Sequence, residues 1–387
     1  MTSFEHEMNA IREKGLLRSL RSLPATGGKF QWQDRELLNF SSNDYLDLAN
    51  DERLKQAGRE ALERWGGGAT ASRLMSGTLD LHTELEARLA AVTGQETALV
   101  FGSGFLTNLG LLSALTGKDD AIFADKLNHA SLVDGARFSE ARMIRYHHLK
   151  LDNLEKMLRE TECAGRRWIA SDSIFSMDGD LADVAGLQRL AQASGATLLL
   201  DEAHAVGILG ERGGGLCRIS GQPVVPAITV GTFSKALGSY GGFAACSHEI
   251  RDFLINRARP FIYSTALPPV CAACALRALQ IIEEEPGLGA ELLRRAEFMK
   301  DALRAQGLEV MSSASQIIPI FVGDNEQAVA LADRLLDQGI LATAIRPPTV
   351  PPGTARIRLS VTLAHSEQDL SRAAEVIAKT VKQAGAA

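Results

Sequence analysis

The stretch AITVGTFSKALGSYGG, residues 227 to 242, passes from an apolar segment into a single lysine and a series of glycines. The apolar residues at its start are of the type found in buried β-strands, and Lys235 follows them closely. An ammonium ion near a buried strand is costly to desolvate unless it is paired or has given up its charge. The position of Lys235 therefore predicts a functional site at the end of this strand.

Four apolar runs upstream have the same character, and helical patterns separate them. They occupy residues 98 to 101, 121 to 123, 168 to 170 and 197 to 200. Continuous apolar strands that alternate with helices are typical of a mostly parallel sheet covered by helices on both faces. We therefore expect an α/β fold built around such a sheet.

The pattern along the chain predicts three parts. Residues 1 to 45 are typical of an arm with an amphipathic helix and a short strand pair. Residues 46 to 286 contain the alternating strands and helices, and we expect them to form the large domain. After the segment EEEPG the pattern changes to two helices and two strands, which predicts a smaller α+β domain at 287 to 387.

Length and composition exclude several classes of protein. The 387 residues are 45% hydrophobic and 23% charged, which is typical of a globular chain with two domains. A net charge of -6 argues against a nucleic-acid partner. No apolar run approaches the roughly 20 residues that cross a bilayer, so we expect no membrane partner.

The cysteines and the N-terminal segment predict a cytoplasmic protein. Five cysteines without a disulfide-framework spacing suit a reducing compartment. The N-terminal segment MTSFEHEMNAIREKG carries acidic residues that argue against a signal peptide or a presequence. Cys271 and Cys274 form a CxxC pair without a second pair, so we expect no metal site.

Chemically active side chains follow the apolar runs, where the carboxyl ends of parallel strands collect ligands. A glycine turn at 102 to 104 precedes a helical pattern and suits a phosphate, while His129, Asp201 and Lys235 each follow another run. Each has an ordinary alternative, because histidine and aspartate commonly cap helices. Their joint occurrence indicates a site for pyridoxal phosphate.

The chemistry of that cofactor explains the residue types. Lys235 is expected to hold the cofactor aldehyde as an imine and later to transfer protons. Asp201 is expected to keep the pyridine nitrogen protonated, which makes the ring an electron sink. His204 is expected to contact the ring hydroxyl and His129 the ring face. The expected phosphate donors are Ser103, Gly104, Phe105 and Thr232.

Two arginines of the last predicted strand share its polar face. In RIRLSVT, residues 356 to 362, Arg356 and Arg358 alternate with apolar residues. One of them is a candidate for bidentate binding of a substrate carboxylate. A solvated strand face explains the same spacing.

Seven motifs in order resemble the α-oxoamine synthases, a family of fold-type I pyridoxal-phosphate enzymes, and this resemblance covers nearly the whole chain. The segment at 344 to 362 looks most like the biotin-pathway members, which condense L-alanine with a pimeloyl thioester on coenzyme A or a carrier protein. The resemblance also implies a homodimer with active sites at its interface. The motifs are FSSNDYLDL (40 to 48), GSGFLTN (102 to 108), DKLNHASLVDGAR (125 to 137), SIFSMDGD (173 to 180), DEAHAVGILGERGGG (201 to 215), TFSKALGSYGG (232 to 242) and IYSTALPP (262 to 269).

The resemblance assigns further roles. Lys235 transfers the protons, and His129 stacks on the ring and is a candidate acid toward the acyl carbonyl. The family usually has glycine where this chain has Asp47, which bears on the turn near Asn43. The other implied contacts are Asn43 and Arg358 for the amino-acid carboxylate, Thr349 for substrate, Ser176 for the cofactor, Thr265 for the phosphate of the neighbouring subunit and Arg18 for the acyl substrate, although helical amphipathicity also explains Arg18.

Three alternatives stay open at this point. A related synthase would use glycine or serine with a different acyl-CoA. An aminotransferase of the same fold also needs the lysine and the carboxylate, but typically stacks an aromatic residue where His129 is expected. A non-catalytic cofactor-binding module would normally be fused to a DNA-binding region, and the N-terminal arm is short and acidic.

Overall fold

The computed structural model describes residues 4 to 219 and 223 to 385. The strands are β1 Lys29–Trp32, β2 Arg35–Asn39, β3 Thr97–Phe101, β4 Ala121–Asp125, β5 Arg142–Tyr146, β6 Arg167–Asp172, β7 Thr197–Asp201, β8 Ile228–Thr232, β9 Gly242–Cys246, β10 Ile317–Gly323, β11 Ile340–Leu341, β12 Thr343–Ile345 and β13 Ala355–Ser360. The helices are α1 Phe4–Glu13, α2 Glu52–Trp65, α3 Asp80–Thr93, α4 Gly104–Leu115, α5 Ala130–Phe138, α6 Leu151–Glu160, α7 Val184–Ser194, α8 His248–Arg257, α9 Arg259–Ile262, α10 Pro269–Glu284, α11 Leu288–Ala305, α12 Asn325–Asp337 and α13 Glu367–Gln383.

A seven-stranded sheet has the order β3, β9, β8, β7, β6, β4, β5. Only β9 runs antiparallel to its neighbours β3 and β8, and the other pairs are parallel. The expectation of a mostly parallel α/β sheet is confirmed. Because Asp172 pairs with Asp201 in register, the strands β6 and β7 bring two carboxylates side by side at the same edge.

Both faces of this sheet are buried, as the continuous apolar runs predict. In β7, Leu199 packs into one core with residues of α4, α5 and α8, whereas Leu198 and Leu200 pack into another with residues of α6 and α7. Successive strand residues point to opposite faces, so a run of three leucines serves both cores. The strand ends are thereby fixed in position.

Two strands of the sheet carry weaker signals in the sequence. The edge strand β5 contains Arg142 and Arg145, which are exposed. Strand β9 begins at Gly242, where an added Cβ would lie 2.5 Å from the backbone nitrogen of Gly104. This close approach requires glycine and places β9 against the start of α4.

The described chain divides into two compact units, one formed by residues 48 to 175 and 181 to 290, and the other by residues up to 47, 176 to 180 and 291 onward. The first contains the seven-stranded sheet. The second contains two three-stranded sheets, β1-β2-β11 and β10-β13-β12. Parallel pairing of β2 with β11 joins the N-terminal segment to C-terminal residues within this unit. None of the helices in the described ranges has the length and apolar character needed to span a bilayer.

Asp47 adopts a conformation in which glycine is favoured. Its φ is +54°, in the left-handed region that aspartate tolerates better than most residues. The N–H of Asp47 donates to the carbonyl of Asp44 at 3.0 Å, which closes the turn. The aspartate is therefore compatible with a tight turn next to Asn43.

His365 is a buried neutral histidine of the second unit. Its Nδ1 accepts from the N–H of Thr362 at 3.1 Å, its Nε2 lies 3.2 Å from the carbonyl of Gly28, and its ring stacks on Phe40. Burial lowers the pKa of His365 to about 4. The neutral ring is therefore preferred in the folded state.

This pKa predicts acid destabilisation. In the unfolded chain the ring of His365 takes up a proton near pH 6.5, whereas in the folded protein it does so only near pH 4. The contribution of the neutral ring to the free energy of unfolding is therefore complete above pH 6.5 and is lost as the pH falls toward 4. We expect His365 to account for a loss of about 2 kcal/mol in the free energy of unfolding between pH 7 and pH 5. Urea unfolding at both pH values should show that the loss is smaller by this amount in His365→Gln. Equal losses in the two proteins would contradict the prediction.

Candidate active site

Lys235 lies in the turn between β8 and β9, and its Nζ is 3.0 Å from Nε2 of His204. Lys235 is half-buried and His204 is buried. A hydrogen bond of this length requires one nitrogen to donate and the other to accept, so the two groups do not both point protons at each other. The pair supplies a basic nitrogen at the end of the strand.

Asp201 ends β7 as a buried carboxylate whose two oxygens are both held. Oδ2 accepts from Nδ2 of Asn108 at 2.6 Å, and Oδ1 accepts from the N–H of Ala203 at 2.9 Å. These bonds fix the plane of the carboxylate. The site therefore has a buried negative charge of fixed orientation, as a protonated pyridine nitrogen requires.

Asp172 is a second buried carboxylate at this edge, and sequence reasoning missed it. Its Oδ2 accepts from the backbone N–H of His129 at 2.7 Å. Burial raises the pKa of Asp172 well above its usual range, and the adjacent charge of Asp201 acts in the same direction. Its place at the end of an apolar run, in IASDS, was the available signal.

His129 caps the N-terminus of α5, and its ring is exposed. Nδ1 accepts from the N–H of Ser131 at 3.3 Å. Desolvation lowers the pKa of His129; the negative charge of Asp201 opposes this shift and the positive charge of Lys235 adds to it. The capping alternative thus accounts for Nδ1, while the other side of the ring has Phe105 as an edge-on neighbour at 6.4 Å between ring centroids.

The predicted phosphate donors lie at the start of α4. Ser103 is its N-cap, with Oγ accepting from the N–H of Leu106 at 3.2 Å. Gly104 and Phe105 supply first-turn N–H groups, which have no acceptor within a helix. Thr232 lies close by, because a Cβ on Gly104 would be 3.3 Å from the Cβ of Thr232. A helix N-terminus, a buried carboxylate and a basic lysine fit pyridoxal phosphate.

The second unit distinguishes the two arginines of β13. Both are almost fully buried, at 4% exposure for Arg356 and 6% for Arg358. Arg356 forms an ion pair with Asp178. Arg358 donates to neutral oxygens, of which the carbonyl of Ser176 is at 2.6 Å and Oδ1 of Asn43 at 3.2 Å. Among the ion pairs of the described residues, none involves Arg358.

The remaining predicted residues lie elsewhere. Arg18 is outside α1, and its guanidinium donates to the carbonyl of Pro347 at 3.0 Å, so helical amphipathicity does not explain it. Thr349 is exposed near this contact, and its N–H donates to the carbonyl of Arg346. Thr265 is exposed in the first unit, where it forms a bridge with Ser72.

The comparisons with known proteins agree with this chemistry. The family model described as aminotransferase class I and II matches residues 35 to 377. The chain belongs to the class I and II aminotransferase family. Members of this family depend on pyridoxal phosphate, so the predicted cofactor is confirmed.

Relatives within the class I and II aminotransferase family confirm the resemblance to α-oxoamine synthases. An 8-amino-7-oxononanoate synthase of Geobacter sulfurreducens is 45% identical over 99% of both chains. A high-resolution structure of SPT with PLP is 27% identical, with a TM-score of 0.92, over 99% of this chain and 98% of that one. The 8-amino-7-oxononanoate synthase of Francisella tularensis is 30% identical, with a TM-score of 0.76, over 90% of this chain and 98% of that one.

Proposed function

We propose that this protein condenses L-alanine with a pimeloyl thioester in biotin biosynthesis, giving 8-amino-7-oxononanoate, a thiol and carbon dioxide. The observation that carries the proposal is the set of Lys235, His204 and Asp201 at one edge of the sheet. The 45% identity to a synthase of that name supports the choice of substrates.

The condensation exchanges bonds at the alanine Cα. The Cα–H bond breaks, a Cα–C bond forms to the acyl carbonyl, and the C–S bond breaks so that the thiol leaves with a proton. The bond from Cα to the carboxylate then breaks to release carbon dioxide, and a proton returns to Cα. Pyridoxal phosphate, when bound, supplies the electron sink that makes negative charge at Cα accessible.

The residues of the chain supply the proton transfers and the binding contacts. Lys235 would hold the cofactor aldehyde until the amino group of L-alanine takes its place, and the freed Nζ would then remove the Cα proton and later return it. His204 would form a hydrogen bond with the ring hydroxyl of the cofactor. The N–H groups at the start of α4, together with Ser103 and Thr232, bind the phosphate, and Ser176 contributes a further cofactor contact.

Arg358 is proposed to bind the carboxylate of L-alanine, with Asn43 beside it. A buried guanidinium that contacts only neutral oxygens retains an uncompensated positive charge, and an incoming carboxylate compensates it. Arg356 already has Asp178 for this purpose. Thr349 is proposed as a substrate contact and Arg18 as a contact of the acyl substrate.

Changing Arg358 to lysine is expected to raise the KM for L-alanine by about 10- to 100-fold, because hydrogen bonds to a charged group contribute about 1.5–3 kcal/mol. Lysine keeps the charge but loses the planar pair of donors. Steady-state kinetics at fixed pimeloyl-CoA would measure this. Arg356→Lys is the matched control and should leave the KM within threefold. A larger effect in the control would contradict the assignment of Arg358.

The first test of the function is thiol release from pimeloyl-CoA by the cofactor-loaded protein, with L-alanine, glycine and L-serine in parallel. Release with L-alanine alone is expected. Thiol release with another amino acid would change the assigned amino-acid substrate but would leave the assigned class of reaction unchanged. Stoichiometric pyridoxamine phosphate formed from L-alanine alone would replace the function with that of an aminotransferase.

A homodimer in the cytoplasm is proposed from two further observations. Large apolar side chains near Thr265 are exposed in the isolated chain, with Tyr263 at 72% and Met75 at 81%. A second subunit would cover them and receive Thr265 at its cofactor phosphate. Sedimentation equilibrium should give a mass near twice 41.6 kDa. The five cysteines are free, as suits a reducing compartment.

A further inference from the structure

A chain of hydrogen bonds connects Asp201 to the ring of His129. Nδ2 of Asn108 donates to Oδ2 of Asp201 at 2.6 Å and to Oγ of Ser131 at 2.9 Å. Oγ of Ser131 lies 2.7 Å from Nδ1 of His129. Asn108 is 0% exposed and Ser131 is 1% exposed, so water does not compete for the bonds that Asn108 donates.

The carboxylate of Asp201 sets the direction of every bond in this chain. The Asn108 amide must turn its nitrogen toward Asp201, because two oxygens at 2.6 Å would repel each other. Its two N–H bonds are then used on Asp201 and Ser131. The Ser131 oxygen accepts from Asn108, so the hydroxyl hydrogen of Ser131 is free to point at His129.

The protonation pattern of His129 follows from these directions. Nδ1 of His129 faces the hydroxyl of Ser131 at 2.7 Å and the N–H of Ser131 at 3.3 Å. A nitrogen that accepts from two donors carries no proton of its own. In the neutral ring the proton therefore sits on Nε2, and the lowered pKa of His129 keeps the ring neutral.

The side-chain amide of Asn108 also carries a free-energy cost at its oxygen, which packing alone does not explain. Its Oδ1 is buried and has no hydrogen-bond partner among the described residues. A buried acceptor without a partner is destabilising, and one at a native site calls for an explanation. A requirement to present both N–H bonds to the two acceptors explains it.

We propose that Asn108 and Ser131 are positioning residues that hold His129 as the Nε2–H tautomer. In the reaction proposed above, on which this inference rests, that N–H donates a hydrogen bond to the acyl carbonyl oxygen while the Cα–C bond forms. The negative charge that develops on this oxygen is thereby stabilised. Abstraction of the Cα proton by Lys235 precedes this step and does not use the Nε2–H.

The tautomer is tested directly by nitrogen NMR of holoenzyme labelled at histidine, with the His129 signals assigned by their loss in His129→Gln. We expect Nε2 to carry the proton in the unaltered protein at neutral pH. Ser131→Ala removes the hydroxyl donor and should shift part of the population to Nδ1–H. A protein whose unaltered His129 carries its proton on Nδ1 overturns the proposal, and this measurement needs no acyl substrate.

The kinetic test separates the two chemical steps. Ser131→Ala should slow thiol release from pimeloyl-CoA about tenfold, and should leave the exchange of the L-alanine Cα proton with solvent within twofold. Ser139→Ala is the matched control, because Ser139 is a buried serine next to α5 whose hydroxyl donates to the carbonyl of Ala136. Both rates should be unchanged in that control.

Other outcomes count against the proposal in defined ways. Equal losses in both rates for Ser131→Ala would make Ser131 a support of the cofactor site as a whole. If neither rate changed in Ser131→Ala, the Ser131 hydroxyl would have no role in the reaction. Absence of thiol release by the unaltered enzyme would instead overturn the proposed function, and the NMR result would still report the tautomer.

Discussion

Replacing Lys235 with alanine is expected to abolish condensation, with a loss of at least ~10⁴-fold in kcat, because this one side chain is proposed to supply both the covalent attachment and the proton transfers. The absorption band of lysine-bound cofactor should disappear as well. Thiol release and a visible spectrum of the cofactor-loaded variant would measure the two effects. Turnover near that of the unaltered enzyme would overturn the assignment of the site.

The fold should survive this change. Lys235 is half-buried, its Nζ contacts Nε2 of His204, and it belongs to neither apolar core of the sheet, so truncation leaves those cores intact. Lys126→Ala is a matched control, since Nζ of Lys126 lies 3.0 Å from Nδ1 of His147 in an exposed pair of the same type. The control should keep full activity. A loss of folded structure in Lys235→Ala but not in the control would show that the lysine is structural.

Asp201→Asn is expected to bind the cofactor but to slow exchange of the L-alanine Cα proton by about three orders of magnitude. A neutral amide cannot hold the pyridine nitrogen in its protonated form, so the electron sink is lost. Cofactor binding should persist because the phosphate donors of α4 are unaffected. NMR in deuterium oxide would measure the exchange of the Cα proton, and quantifying the bound cofactor in the same sample would separate a loss of exchange from a loss of binding.

Asp125→Asn is the control for this substitution. Asp125 also ends a buried strand of the same sheet and is 1% exposed, but its oxygens bond to the N–H groups of Leu127 and Leu149 and contact Nδ1 of His148 at 2.9 Å. It should retain exchange within a few-fold. An unchanged exchange rate in Asp201→Asn would refute the role of Asp201, and loss of cofactor would make that role one of binding.

The sequence predicted which edge of the sheet carries the candidate site residues, because the carboxyl ends of parallel strands converge. Lys235, Asp201 and His129 each follow a recognisable apolar run, so topology alone brings them near one another. Strand β9 was harder to predict, because GFAAC is short and begins with glycine.

The unpredicted parts depend on contacts between distant segments. Alternation in β13 could not separate Arg358 from Arg356, since the difference is an ion pair with Asp178. Asn108 lies in the motif GSGFLTN and Ser131 in DKLNHASLVDGAR, but in the sequence each is an ordinary polar residue near the start of a helix. Their direction toward Asp201 and His129 appears only when α4 and α5 pack together.

The turn that carries Lys235 is closed at both ends by one pair of neighbouring strand residues, Thr232 of β8 opposite Gly242 of β9. Inside it, the N–H of Phe233 donates to Gly241, and the N–H of Gly238 donates to the carbonyl of Lys235 itself. The backbone of the lysine has therefore lost its conformational freedom during folding. Little entropy remains to be lost when the cofactor and substrate arrive, and binding free energy is available instead for aligning the reacting atoms.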